Sequence, residues 1–228
     1  DKCYQNNEVQ TPYNEDDPVG GYDPYSSSKG CSELITSAYR SSFFSKVGGH
    51  SDLACIASAR SGNVIGGGDW SADRLIPDIF RAVSEKKSIK IRNPEATRPW
   101  QHVLEPLRGY LLLAENLMKN GSAYGEAWNF GPDNHRSESV RKVLTELVSE
   151  WGEEVDIQYE KNPSQPHEAN YLSLDISKAS SRLNWEPALN IKETISMTCE
   201  WYRNFYAKTT DMSSFSLEQI KNYEDLLG

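Results

Sequence analysis

Short apolar runs alternate with longer segments of helical periodicity along this chain, and this alternation restricts the possible folds most strongly. We predict strands over residues 53–57, 89–91, 126–130, 155–159 and 171–174. We predict helices over residues 24–44, 73–86, 102–119, 139–151 and 190–207, with short helices opening at 175–178 and at 216–219. Strands that alternate with helices are typical of α/β folds. The sequence therefore predicts an α/β protein whose later elements form a smaller, mixed lobe.

Composition excludes several classes of protein. The 228 residues carry a net charge of −9 and have an isoelectric point near 5.0, so we expect no nucleic-acid-binding surface. No apolar run approaches the ~18 residues that span a bilayer, so we expect no membrane segment. The four cysteines contain no C-x-x-C pair, and we expect reduced, buried thiols in a cytoplasmic protein without a metal site.

The start of the chain and its histidines carry further expectations. The chain opens on Asp1 without an initiator methionine or a signal sequence, so we expect an upstream segment to precede it. Residues 1–24 are rich in Asn, Asp, Glu, Pro and Gly, which is typical of a loop. His50 and His135 have no partner pattern and are expected in ordinary loops, while His102 is expected to cap or orient the helix that follows it.

Tyr25 and Lys29 lie four residues apart at the start of the first predicted helix. Residues at i and i+4 share a helix face, so the phenol and the ammonium would face the same space. A nearby ammonium favours the phenolate, which is the form of tyrosine that acts as a base. The alternative is a chance spacing, because Tyr-x-x-x-Lys occurs in many helices.

Asp1 and Lys2 place an acid beside a base. Adjacent titratable groups whose environments differ can serve as proton donor and proton acceptor in one site. The alternative is an exposed ion pair at the surface.

Residues 59–70 form a glycine-rich stretch after a predicted strand, where ligands of open α/β sheets collect, although a simple irregular turn would explain that stretch equally well.

Three arginines fall in the loops that should border the sheet. Arg60, Arg74 and Arg98 each follow or precede a predicted strand or helix. The planar guanidinium donates two hydrogen bonds to a pair of oxygens and so suits a diphosphate. Surface salt bridges are the alternative for each of the three.

Four motifs in this order resemble the nucleotide-sugar dehydratases of the extended short-chain dehydrogenase/reductase family. They are Asp-Lys-x-Tyr at 1–4, Tyr-Ser-x-Ser-Lys at 25–29, Arg-x-Gly-Asn-Val-x-Gly-Gly-Gly-Asp-Trp at 60–70, and Arg-Pro-Trp-Gln-His-Val-Leu-Glu-Pro at 98–106. The resemblance covers nearly the whole chain. It implies a Rossmann-like doubly wound parallel sheet, of which only the later part is present, and a smaller mixed α/β substrate-binding lobe.

The same resemblance implies a domain division. Residues 1–66 would be the remainder of the NAD-binding domain, and residues 67–228 would be mainly the nucleotide-sugar-binding lobe, with 102–130 returning to the first domain. The glycine-rich half of the NAD-binding domain would lie upstream of Asp1. The first predicted helix and the helix after His102 would form the dimer surface of a homodimer or a dimer of dimers, although their apolar stripes are equally compatible with a protein core.

The chemistry that the resemblance implies is dehydration of a nucleotide hexose with bound NAD. Tyr25 would remove the C4 hydroxyl proton, and Lys29 would support the phenolate and hold the nicotinamide ribose. Asp1 would protonate the departing C6 hydroxyl, and Lys2 would remove the C5 proton. Relatives that use dTDP-glucose carry glutamate where this chain has Lys2, so the lysine favours the branch that acts on CDP-glucose. The reaction class that the resemblance implies is a hydro-lyase, which would serve deoxysugar synthesis for lipopolysaccharide.

The resemblance also implies contacts to the ligands. Gly62 would approach the nicotinamide end of NAD, and Asn63, Arg74, Arg98 and His167 would bind the substrate. The alternatives are another nucleotide-sugar dehydratase, an epimerase of the same superfamily, or a nucleotide-sugar-binding module without turnover. The pair Asp1-Lys2 argues against an epimerase, because epimerases lack an acid and a base for elimination.

Overall fold

The structure is a computed structural model, and it describes residues 1–44, 54–133, 137–152, 155–159 and 169–228. In these residues the helices are α1 (Pro24–Phe43), α2 (Leu75–Ser84), α3 (Leu104–Asn120), α4 (Val140–Trp151), α5 (Ser177–Leu183), α6 (Ile191–Ala207) and α7 (Met212–Asp225). The strands are β1 (Ser58–Ser61), β2 (Asn63–Ile65), β3 (Ile89–Ile91), β4 (Thr97–Arg98), β5 (Trp100–His102), β6 (Ala127–Phe130), β7 (Glu138–Ser139) and β8 (Ile157–Tyr159). A 3₁₀ turn covers Gly121–Tyr124.

Parallel pairing dominates the described strands. Strand β1 pairs with β6, β2 with β5, and β3 with β8, all in parallel, whereas β4 and β7 are antiparallel. Parallel neighbours need a crossover connection, and α3 lies between β1 and β6 in the chain. The α/β fold class predicted from the sequence is therefore confirmed.

Local sequence signals account for several helix ends. Asp23 caps α1 by accepting from the Tyr25 and Ser26 nitrogens, with Pro24 in the first helical position, where its missing N–H costs nothing. Asn190 and Glu193 form the predicted capping box of α6, which satisfies two orphan donors reciprocally. Gly121 ends α3 as predicted, with φ of 63°.

Two of the strand predictions are wrong. Of the strand predicted over 53–57, residue 53 lies outside the described residues and 54–57 form no strand. Strand β1 begins only at Ser58, whose nitrogen donates to the Glu126 carbonyl at 3.0 Å. The prediction placed the strand on the apolar run, whereas the strand itself follows that run and buries a charged residue, Arg60. Residues 171–174 form a single bridge, from Leu174 to Tyr13, in place of a strand.

The start of the last helix also differs from its prediction. Helix α7 begins at Met212, and Asp211 caps it by accepting from the Ser214 nitrogen at 2.9 Å. Ser216 lies inside the helix, where its hydroxyl donates to the Met212 carbonyl and accepts from the Trp201 indole. The predicted cap at Ser216 failed because this hydroxyl is used for packing against α6.

Two apolar clusters support the elements around the candidate site. In the first, Phe80 of α2 stacks on Tyr202 of α6 with ring centroids 3.9 Å apart. In the second, Phe130 of β6 packs edge-on against Trp185 at 5.0 Å. The predicted division at 66/67 stays a prediction, and the pairing of β6 with β1 supports the return of residues 102–130 to the first part of the chain.

The cysteines and the helices bear on two other expectations. None of the four cysteines forms a disulfide, and Cys3 and Cys199 are buried, but Cys31 is exposed on α1, so the expectation of uniformly buried thiols is wrong there. No helix in the described ranges has both the length and the hydropathy needed to cross a bilayer. His50 and His135 lie outside the described residues.

Candidate active site

A cavity of about 830 Å³ brings together residues that are far apart in the chain. Its size falls within the ~300–1,000 Å³ that is typical of ligand pockets. Eight of the predicted site residues line it, namely Asp1, Lys2, Tyr25, Lys29, Gly62, Asn63, Arg74 and Arg98. The ninth, His167, lies outside the described residues. One site can therefore contain the predicted phenol, acid, base and diphosphate-binding groups.

Helix α1 presents Tyr25 and Lys29 to the cavity. The Lys29 Nζ lies 5.4 Å from the centroid of the Tyr25 ring, so the ammonium faces the phenol as the i, i+4 spacing predicts. Tyr25 is 57% exposed although it is a large aromatic residue. Gly21 allows the preceding loop to pass against this helix, because a Cβ there would lie 2.2 Å from the Ser27 nitrogen.

The loop that begins with Asp1 runs beside the end of β1. The backbone nitrogen of Asp1 donates to the Ser61 carbonyl at 2.9 Å, which holds Asp1 at the carboxyl end of that strand. The Asp1 Oδ2 atom is buried and has no hydrogen-bond partner among the residues that the structure describes. Burying a carboxylate oxygen without a hydrogen-bond partner costs free energy, and a ligand or a proton at this oxygen would reduce that cost.

Gly62 and Asn63 form the turn between β1 and β2. A Cβ on Gly62 would lie 2.2 Å from the Pro99 carbonyl oxygen, so only glycine permits this close approach. The Asn63 nitrogen donates to the same carbonyl at 2.8 Å. The Asn63 side chain borders the cavity and makes no hydrogen bond to the described part of the chain, which leaves its amide available to a ligand.

Arg74 and Arg98 reach the cavity from different surroundings. Arg74 is exposed at the N-terminal boundary of α2 and makes no capping hydrogen bond. Arg98, on β4, is buried, and its Nη1 donates to the Thr97 carbonyl at 2.8 Å. Both guanidinium groups line one cavity, and each is suited to an anionic group.

Arg60 corrects one prediction, because both of its terminal nitrogens are engaged by other residues of the protein. It lies inside β1, is only 7% exposed, and its Nη2 donates to Glu33 Oε2 at 2.7 Å. Its Nη1 donates to the Tyr4 hydroxyl at 2.8 Å. Burial alone would lower the pKa of Arg60, but the hydrogen bond that Arg60 donates to Glu33 raises it, so the guanidinium stays charged within the protein.

Sequence reasoning missed other residues that line the cavity. Lys90 and Arg92 lie at alternate positions at the end of β3, and both are exposed, whereas Ile89 and Ile91 are buried. The apolar/charged alternation from 89 to 92 was the available signal, since it places both cations on the face opposite to the core. Glu33 also lines the cavity, one helical turn beyond Lys29.

His102 orients the start of α3, as predicted. Its Nδ1 accepts from the Leu104 nitrogen at 3.4 Å, and burial lowers the pKa of the ring to about 4. Across the described ranges, no group of three His, Cys, Asp or Glu side chains could hold a metal ion.

Comparison with known proteins reveals one family and several relatives. Residues 1–198 match the family described as GDP-mannose 4,6 dehydratase. The chain is 44% identical over 223 residues to a CDP-glucose 4,6-dehydratase of Salmonella typhimurium, covering 98% of this chain and 62% of the relative. The chain thus spans less than two thirds of the length of this relative.

Solved structures show the same fold at lower sequence identity. The UDP-glucuronic acid 4-epimerase of Bacillus cereus in complex with UDP-glucuronic acid and NAD has a TM-score of 0.73 at 21% identity, covering 90% of this chain and 60% of that one. A dTDP-glucose 4,6-dehydratase of Streptomyces venezuelae with NAD bound has a TM-score of 0.71 at 21% identity, covering 86% of this chain and 56% of that one. These similarities confirm the Rossmann-like fold.

Proposed function

The chain belongs to the GDP-mannose 4,6-dehydratase family, and on this premise we propose that the protein converts CDP-glucose to CDP-4-keto-6-deoxyglucose with NAD as its cofactor. One observation supports this proposal above the others. Asp1, Lys2, Tyr25 and Lys29 line a single cavity, so a base for oxidation and a pair of groups for elimination can reach one sugar.

The described residues fit the nicotinamide end of NAD. Tyr25 and Lys29 border the cavity beside the carboxyl end of β1, and Gly62 packs against Pro99 at that end. Ligands of open α/β sheets bind at the carboxyl ends of the strands. When bound there, NAD would supply the hydride acceptor for sugar C4 and the hydride donor for C6. Tyr25, Lys29 and Gly62 would hold its nicotinamide ribose and ring.

The side chains of this protein would move the protons. The Tyr25 phenolate accepts the C4 hydroxyl proton as C4 is oxidised, and Lys29 stabilises that phenolate by its charge. Lys2 takes the proton from C5, and Asp1 donates a proton to the hydroxyl that leaves C6 as water. The unpartnered, buried Oδ2 of Asp1 supports a proton or a substrate hydroxyl at that position. Return of the proton from Lys2 to C5 as C6 is reduced would leave the 4-keto-6-deoxy sugar and water as the net products.

The substrate diphosphate would lie between Arg74 and Arg98, with Asn63 donating from the turn after β1. The contact of His167 with the nucleotide of the substrate stays a prediction. We favour CDP-glucose because of Lys2 and because a curated relative at 44% identity carries the name CDP-glucose 4,6-dehydratase. The proposed preference for CDP-glucose rests on Lys2 and on this sequence similarity.

A turnover assay tests the proposal. The protein expressed from its complete gene is expected to convert CDP-glucose to a 4-keto-6-deoxy product with no net reduction of NAD, because the hydride returns to the sugar. Product mass and proton NMR at C6 would measure this. Much slower conversion of dTDP-glucose and UDP-glucose is expected in parallel reactions. If every product retains its 6-hydroxyl group, the protein is not a dehydratase.

We further propose a homodimer built on α1 and α3. Helix α3 exposes Leu107, Leu111 and Met118 at helical spacing, with 72% exposure at Leu111 and 87% at Met118. Helix α1 exposes Tyr39 and Phe43, one turn apart, whose rings pack together at 5.5 Å. Apolar stripes of this extent on two helices are typical of a surface that a partner covers.

Replacing Leu111 with glutamate is expected to weaken the dimer at least tenfold, because each tenfold corresponds to about 1.4 kcal/mol and burying a charge costs more than that. Sedimentation velocity over a range of protein concentrations measures the change. Leu217→Glu on α7, where the leucine is 63% exposed, is the matched control and should leave association unchanged. Equal effects of the two substitutions would contradict the assignment of this surface.

The cellular setting that we propose is the cytoplasm, in deoxysugar synthesis for lipopolysaccharide. The absence of disulfides among the four cysteines supports a reducing compartment.

A further inference from the structure

A single buried guanidinium links the two parts of the candidate site. Arg60 of β1 donates from Nη2 to Glu33 on α1 at 2.7 Å, and from Nη1 to the Tyr4 hydroxyl at 2.8 Å. The guanidinium also lies over the Tyr4 ring, 4.9 Å from its centroid. The strand, the helix and the first loop are therefore joined through one side chain.

The Tyr4 side fixes the loop that carries Asp1 and Lys2. Tyr4 is 2% exposed, and its hydroxyl donates to Asn129 Oδ1 at 2.7 Å while it accepts from Arg60. Burial raises the pKa of Tyr4 above its ordinary value, so this hydroxyl keeps its proton and remains a donor. Asn129 is in turn held by two backbone carbonyls, of Tyr13 and Asp175. The hydroxyl is thus anchored on both sides, three residues from Asp1.

The Glu33 side fixes the helix that carries Tyr25 and Lys29. Glu33 follows Lys29 by four residues and Tyr25 by eight, so the three lie on one face of α1. Glu33 Oε2 accepts from Arg60 and also from the Ser58 hydroxyl at 2.9 Å. Through Glu33, the face of α1 that carries Tyr25 is therefore bonded to Ser58 at the start of β1 and to Arg60 in its middle.

We propose that Arg60 and Tyr4 are positioning residues, which set the distance between the Asp1–Lys2 loop and the Tyr25–Lys29 helix so that one bound sugar meets both pairs. This inference rests on the proposed function, because it assigns oxidation to the helix and elimination to the loop. In this role neither the Tyr4 hydroxyl nor the Arg60 guanidinium needs to contact the substrate. A misplacement of about 1 Å at reacting groups costs on the order of 100-fold in rate, so the anchor matters to chemistry as well as to folding.

The Tyr4 and Glu33 sides of the network hold different elements, so their loss should have different effects on the reaction. Loss of the Tyr4 hydroxyl should loosen only the loop, so C4 oxidation continues while elimination slows and reduced nicotinamide accumulates on the enzyme. Tyr13 offers a matched control, because it is also buried and stacks on Tyr4 at 5.2 Å. Its hydroxyl serves Asn6 and Asn7 instead of the Arg60 network.

Tyr4→Phe is therefore compared with Tyr13→Phe in the protein expressed from its complete gene. For Tyr4→Phe we expect turnover about 10- to 100-fold lower, little change in KM, and a rise in reduced-nicotinamide absorbance during the first turnover. We expect Tyr13→Phe to behave like the unmodified protein in these three measurements. The proposal is overturned if the two variants turn over equally, or if Tyr4→Phe loses turnover without the absorbance rise.

Amide hydrogen exchange gives a readout that does not need turnover. Peptides that end before Asn6 should exchange faster in Tyr4→Phe than in Tyr13→Phe, because only the first variant releases the loop from Arg60. Equal exchange would refute the anchor. If CDP-glucose is not converted by the unmodified protein, the proposed function fails, whereas the exchange comparison still decides whether Tyr4 holds the loop.

Discussion

Replacing Tyr25 with phenylalanine is expected to lower turnover by about 10²- to 10⁴-fold, the range typical of losing a general base. The phenylalanine ring keeps the packing of α1 but cannot accept the C4 hydroxyl proton. Because C4 oxidation is the first chemical step in the proposed reaction, no reduced nicotinamide should appear when substrate is added. Single-turnover absorbance measures that step, and substrate binding should be retained because Arg74 and Arg98 are unchanged.

Tyr39→Phe is the matched control for Tyr25→Phe. Tyr39 lies on the same helix, is also largely exposed, and does not border the cavity. The same loss of a hydroxyl there should leave oxidation unchanged. If Tyr25→Phe still reduces NAD at the rate of the unmodified protein, Tyr25 is not the base that removes the C4 hydroxyl proton.

The sequence predicted those parts of the fold whose signals are local. Helices α1 and α6 carry their caps within a few residues, at Asp23 and at Asn190 with Glu193, and both begin as predicted. The alternation of strands and helices was sufficient for the α/β class, because parallel pairing needs helical crossovers. The eight residues that meet in the cavity were found by motif order, since they are spread from position 1 to position 98.

The remaining features depend on partners distant in sequence. Arg60 looked like a ligand-binding arginine, but Glu33 and Tyr4 occupy its guanidinium, and no pattern within β1 reveals those partners. Ser216 looked like a cap, although its hydroxyl bonds Trp201 of α6. Leu174 looked like part of a strand and makes one bridge to Tyr13. In each case a tertiary contact, which a local window cannot detect, decided the role.

The position of Arg60 also changes how the candidate site is understood. Arg74 and Arg98 remain the proposed diphosphate pair, and Arg60 becomes internal support for the proposed acid, base and phenol. A buried charge of this kind is retained only when it is paired and hydrogen-bonded. Burying the Arg60 guanidinium costs folding free energy. The hydrogen bonds that compensate for this cost also fix the positions of the residues around the cavity.

Replacing Lys2 with methionine is expected to stop the proposed reaction after C4 oxidation. Methionine has a similar length but no proton acceptor, so the C5 proton stays and water cannot leave across C5 and C6. Turnover should fall by about 10²- to 10⁴-fold, and reduced nicotinamide should accumulate with substrate present. Absorbance during a single turnover measures the accumulation, and mass spectrometry should find no 6-deoxy product. Tyr25→Phe, in contrast, should show no accumulation.

Lys2→Arg separates the basicity of the side chain from its charge. Arginine keeps a positive charge but does not lose its proton in proteins, so it cannot accept the C5 proton. We expect Lys2→Arg to stall at the same step as Lys2→Met, although the cavity keeps its charge. Exchange of the C5 hydrogen with deuterated solvent gives a second measure, which both variants should lose and Asp1→Asn should retain, because Asp1 serves the leaving hydroxyl. Normal turnover in either lysine variant would show that another group removes the C5 proton, and the argument from Lys2 toward CDP-glucose would lose its chemical basis.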